Sequence, residues 1–117
     1  MYPFTHTAKE NGSILHLGYM YRYNPAILYA QKAIKDGVLG EITSVEAQMN
    51  CSYASPEKRR WLGQFTGGMM FFLGCHLIDL MVSIQGFPNE VIPLNSATKI
   101  DGVDSLDFGF CAYRYNN

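Results

Sequence analysis

Three stretches of this sequence predict an α+β chain built on a sheet that is covered on one face only. Glu41 to Asn50 sets Thr43, Val45, Ala47 and Met49 against Ser44, Glu46, Gln48 and Asn50, the period-two pattern of a strand with one wet side. Leu106 to Tyr115 repeats it, with Leu106, Phe108, Phe110 and Ala112 opposed to Asp107, Gly109, Cys111 and Tyr113. Between them Met69 to Gln85 is apolar on nearly every side, which fits a helix buried between layers.

Phe4 to Glu10 reads as the end of a short helix that Asn11-Gly12 stops. Ser13 to Tyr19 is a compact apolar run and is predicted to be a buried strand. Asn24 can cap a helix that Pro25 opens, and Ile27, Ala30 and Ile34 share a face up to Gly37. Cys51 to Thr66 holds Pro56, Lys58, Arg59, Arg60 and Trp61 with little periodicity, and is predicted to be a loop. Gly86-Phe87-Pro88 ends the apolar helix. Val91 to Ile100 then pairs with Leu106 to Tyr115 through an Asp101-Gly102 turn. The chain opens on a helix tail and stops just after a strand. Since so few strands are marginal alone, both ends are expected to be cut from something larger.

Composition narrows the function. The chain has 117 residues, 48% hydrophobic and 16% charged, with a net charge of -1. This is the reverse of a disordered composition, and it excludes nucleic acid and acidic lipid as main partners, since both require a basic surface. The apolar run is shorter than the roughly twenty residues a membrane helix needs, and His76 and Asp79 interrupt it, so no membrane span is expected. Three cysteines, Cys51, Cys75 and Cys111, form no CxxC pair, and no signal peptide is visible, so a reducing cytoplasmic setting is expected. His6, His16 and His76 have no ligand spacing, and no metal is expected.

The candidate chemistry sits on the apolar helix. His76 and Asp79 lie three apart and share a face with Phe72 and Ser83. A histidine beside a carboxylate in an apolar wall suits acid–base work; from spacing alone the pair fits a structural tie between helix and sheet better. Tyr21-Arg22-Tyr23 puts a cation between aromatics just after a strand end, where α/β proteins place ligands, or else stacks an arginine on a tyrosine at a surface. Lys58-Arg59-Arg60-Trp61 suits an anionic ligand or a solvated loop.

Taken in order, Ala8-Lys9-Glu10-Asn11-Gly12, Tyr21-Arg22-Tyr23-Asn24-Pro25, Gly37-Val38-Leu39-Gly40-Glu41-Ile42, Gly67-Gly68, Gly74-Cys75-His76-Leu77-Ile78-Asp79 and Gly86-Phe87-Pro88 resemble the Gfo/Idh/MocA oxidoreductases from Ala8 to Pro88. The resemblance implies a Rossmann domain that binds NAD or NADP. It also implies an α+β substrate domain, with helices on one face of an open, mostly antiparallel sheet that commonly forms the oligomer contact. Residues 1–18 would be the tail of the first domain and 19–117 part of the second. The implied reaction is hydride transfer at a sugar or polyol hydroxyl. By the same resemblance His76 matches the histidine that moves the hydroxyl proton, and Arg22, Trp61 and Asp79 match residues on the substrate side.

The sequence also departs from the family. It carries no glycine-rich dinucleotide fingerprint and no Glu-Lys-Pro motif. Phe72 stands where the family usually has an aspartate, and Thr66-Gly67-Gly68 replaces three glycines. The chain alone is therefore expected to bind no cofactor and to be inactive, and a homodimer is expected through the open sheet. The alternative is a non-catalytic, self-associating module.

Overall fold

The computed structural model describes residues 2–51 and 55–116, without the side chain of Tyr2. Helix α1 is Tyr2–Glu10 and ends at Gly12, which has φ +61°. A 3-10 turn, Met20–Tyr23, leads into α2, Pro25–Lys35. The Asn24 side chain caps α2 by accepting from the backbone N–H of Ala26 at 2.9 Å and of Ile27 at 3.4 Å. Helix α3 is Pro56–Leu62. A π-helical turn, Met70–Gly74, runs straight into α4, Cys75–Gln85. Strands β1, Glu90–Ser96, and β2, Phe108–Arg114, form an antiparallel pair from Glu90 opposite Arg114 to Ser96 opposite Phe108. The class is α+β, as expected, and of the two alternating stretches Leu106 to Tyr115 is the one that pairs.

The sheet is narrow and open. Pro93 sits in β1 opposite Cys111; a proline lacks the N–H that a central strand must donate, and is tolerated here because β1 is an edge of a two-stranded sheet. The connection between the strands contains a 3-10 turn, Ile100–Gly102, so both strands are shorter than the sequence pattern suggests. Helix and sheet meet where Gly109 leaves room for Met70: a side chain there would come within 3.3 Å of Met70 Cβ.

Four expectations are corrected. Ser13 to Tyr19 forms no strand, and Ile14 and Leu17 are 96% and 55% exposed. Glu41 to Asn50 has the alternation but no ladder, although Val45 and Met49 are half-buried. A strand exists only with a partner to accept its N–H groups, and among the described residues neither segment has one. The stretch Cys51 to Thr66 is not all loop, because α3 lies inside it; its residues 52–54 fall outside the described residues. Finally, α4 is half-buried and has no buried residue.

Among the described residues the buried apolar side chains are Leu62 and Val103, and Arg59 and Ser105 are buried polar residues. The Arg59 guanidinium donates to the Ile100 carbonyl at 3.2 Å and lies 3.6 Å from Asp101. This small centre accounts for an extended shape: the radius of gyration is 17.2 Å, against roughly 13 Å for a compact domain of about this size.

One loop carries a pH dependence. Asp107 accepts from the Thr98 backbone N–H at 2.7 Å and from the Thr98 hydroxyl at 2.6 Å. Burial pulls its carboxyl upward, but the Thr98 side-chain and backbone hydrogen bonds, together with Arg59, more than offset this and hold it below its ordinary value. A lowered folded-state pKa contributes stability that is complete above the unfolded carboxylate value of about 3.9 and is lost as pH falls through the folded value. In Thr98→Val, NMR titration of the Asp107 carboxyl is expected to show its midpoint moved up toward that ordinary value. An unchanged midpoint would assign the shift to other groups.

Candidate functional site

One face of the apolar helix faces two other elements. Ser83 accepts from Gln31 of α2 at 2.6 Å. One turn earlier, Asp79 meets Arg22 of the Met20–Tyr23 turn. Arg22 Nε donates to the two carboxylate oxygens at 2.9 and 3.1 Å, and Nη2 donates to Oδ1 at 2.5 Å. The Asp79 side chain is 10% exposed and that of Arg22 is 55% exposed. The hydrogen bonds it donates to Asp79, and the charge of that carboxylate, raise the Arg22 guanidinium further above its already high value.

His76 is the next residue on this face. Its ring lies edge-on to Tyr19 at 6.2 Å and to Tyr21 at 6.1 Å between centroids, the geometry that the aromatic quadrupole favours. Arg22 stacks over Tyr19, 5.3 Å from its centroid, so the cation rests on a tyrosine outside the Tyr21-Arg22-Tyr23 triplet. His76 Nδ1 is buried and has no hydrogen-bond partner, an arrangement that costs on the order of 1–3 kcal/mol while it persists.

A second aromatic group lies on the π-helical turn. Trp61 of α3 packs edge-on to Phe72 at 5.9 Å and to Phe65 at 4.8 Å, and Lys58 Nζ sits 5.5 Å from the Phe72 centroid. The structure therefore joins His76, Arg22 and Asp79 in one cluster and places Trp61 in a neighbouring one, around Phe72. The sequence reading did not identify Tyr19 and Tyr21 as neighbours of His76. It also missed the π-helical turn Met70–Gly74, a feature frequent at functional sites.

Proton transfer is the chemistry this cluster supports. No serine, threonine or cysteine among the described residues is hydrogen-bonded to His76, so a triad-type nucleophile has no base here. Nor do any three His, Cys, Asp or Glu among the described residues come together to hold a metal.

The described residues do not fit a dinucleotide. Its pyrophosphate needs a strand, a glycine-rich turn and a helix N-terminus in a parallel sheet. The ladder present here is the antiparallel β1–β2 pair, and Gly68 is closed against Leu106, whose carbonyl accepts the Met69 N–H at 2.8 Å. No helix among the described residues is long and apolar enough to cross a membrane.

Comparison with known proteins bears on what this cluster serves. A family model described as the GFO/IDH/MocA C-terminal domain matches residues 27–117. The uncharacterized oxidoreductase YhhX of Escherichia coli (strain K12) is 36% identical over 70 residues. That match takes in 60% of this chain and 20% of the relative, so it spans only about a fifth of the relative's length. No solved structure matches.

Proposed function

This chain belongs to the GFO/IDH/MocA family, and from that premise we propose that it is the substrate-side part of an NAD(P)-dependent oxidoreductase acting on a sugar or polyol hydroxyl. The observation that carries the reading is the half-buried His76, bracketed by Tyr19 and Tyr21 and one turn from the Arg22–Asp79 pair. His76 accepts the proton of the substrate hydroxyl when the alcohol is oxidised and returns it when the ketone is reduced. Arg22, whose Nη1 lies outside the pair with Asp79, and Trp61, 45% exposed, contact the substrate. Asp79 acts on the substrate side through Arg22.

The dinucleotide is held by another part of the enzyme, with residues 1–18 belonging to that part and 19–117 to the substrate domain. The setting is the reducing cytoplasm, in keeping with three free thiols. The enzyme is a homodimer or larger, joined through the open sheet. Leu94 of β1 and Phe108 and Phe110 of β2, on one face of the pair and each more than half exposed, favour that contact, and would equally serve a module that only assembles.

The test pairs two proteins: the chain alone, and the chain joined behind a family dinucleotide-binding domain. NADH and NADPH titrations, sizing and a polyol panel are applied to both. The chain alone is expected to self-associate without binding cofactor or turning over, and the joined protein is expected to show polyol-dependent reduction of the nicotinamide. Saturable binding by the chain alone would overturn the division of labour, and a joined protein that binds cofactor yet oxidises no polyol would overturn the enzyme reading.

A further inference from the structure

A histidine that moves protons is usually oriented by a hydrogen bond to its second ring nitrogen. His76 lacks one, since Nδ1 is buried and unpaired, so its ring must be oriented by packing. The packing comes from Tyr19 and Tyr21, whose rings meet it at 84° and 71°. Tyr19 holds a backbone conformation of φ 40° and ψ 78°, left-handed and uncommon for a bulky side chain. Such a conformation persists only where its surroundings over-determine it.

What restrains Tyr19 is Arg22. Its backbone N–H donates to the Tyr19 carbonyl at 2.9 Å, and its guanidinium lies over the Tyr19 ring. The same guanidinium forks onto Asp79, three residues past His76 on the same helix face. A chain of contacts thus runs from α4 through the fork to the strained tyrosine and back to the imidazole on α4.

We propose that Arg22 and Asp79 are a positioning pair whose fork fastens the Met20–Tyr23 turn to α4 and so sets Tyr19 and Tyr21 as the bracket that orients His76. This rests on the reading of His76 as the proton carrier and adds how its ring is aimed. An arginine suits the task because its planar fork fixes direction as well as distance.

The experiment is NMR on the full chain with labelled histidine and tyrosine, the His76 signals being assigned through His76→Gln. Ring-to-ring cross-peaks from His76 to Tyr19 and Tyr21 are expected in the unaltered chain. Arg22→Met and Asp79→Leu remove the fork from opposite ends. Each is expected to abolish the cross-peaks while far-UV circular dichroism keeps its helical signal, a combination that a general loss of structure would not produce. If one variant does not fold, the other decides. Cross-peaks at full strength in either folded variant would overturn the pair's role and leave the proton-carrier reading standing. Unimpaired turnover by His76→Gln in the joined enzyme would instead remove that reading and leave the cross-peak result untouched.

Discussion

In the enzyme completed by a dinucleotide-binding domain, His76→Gln is expected to lower kcat by about 10²- to 10⁴-fold, the range that a positioned general acid–base supplies. Glutamine fills similar space and can still hydrogen-bond a hydroxyl, but it cannot take up a proton. The loss should therefore fall on kcat, with KM changed far less, since an interaction made mainly in the transition state is what has been removed. Steady-state kinetics on one polyol and its ketone check both directions, because the same nitrogen serves each. Equal loss in kcat/KM through KM alone would make His76 a binding residue.

The second large effect concerns stability. Gly68 has φ +46°, and a Cβ added to it would lie 2.7 Å from Leu106 Cβ and closer still to the Leu106 carbonyl oxygen. Both neighbours belong to the chain just before β2, and that carbonyl is the acceptor for Met69. Gly68→Ala thus combines a left-handed backbone with a collision against main chain that cannot swing aside. The expected destabilisation is about 2–5 kcal/mol, the sum of conformational strain and overpacking. Urea unfolding followed through Trp61, the single tryptophan, measures it, and faster exchange of the Met69 amide locates it. Gly12→Ala is the control: Gly12 has φ +61° but nothing within 4 Å of the added atom. It should show only the conformational part, about 1 kcal/mol. Similar losses in the two variants would mean that the approach of Leu106 contributes nothing.

How much of this could be read beforehand depends on whether a signal is local. Asn24-Pro25 announced α2 because cap and first turn lie within three residues, and β2 was visible in its alternation. Ser55-Pro56-Glu57 carried an equally local start signal for α3, with Ser55 accepting from the Lys58 N–H at 3.3 Å, but a helix of 7 residues is too short to show a periodic face. The two absent strands failed for another reason. Alternation describes one strand's faces and says nothing about whether a neighbour is there to pair with. The site was legible residue by residue, since His76, Arg22 and Asp79 were each singled out. Their juxtaposition was not: Arg22 and Asp79 are separated by 57 positions, and only the folded chain shows that they are partners.

The π-helical turn Met70–Gly74 has a bearing on how this segment tolerates changes in length. A turn closed by i→i+5 bonds holds one residue more than an α-helical turn, and each residue of an α-helix advances the side chains by about 100°. The turn therefore sets the angular phase between its own Phe72, which addresses Trp61, and the residues of α4, which address the tyrosines through His76. Deleting a single residue there would leave a continuous α-helix with its hydrogen bonds intact. It would also rotate the residues before the deletion relative to α4, turning Phe72 out of its place against Trp61 while the helix itself stayed sound. At this point in the chain, the number of residues, as much as their identity, specifies which groups meet.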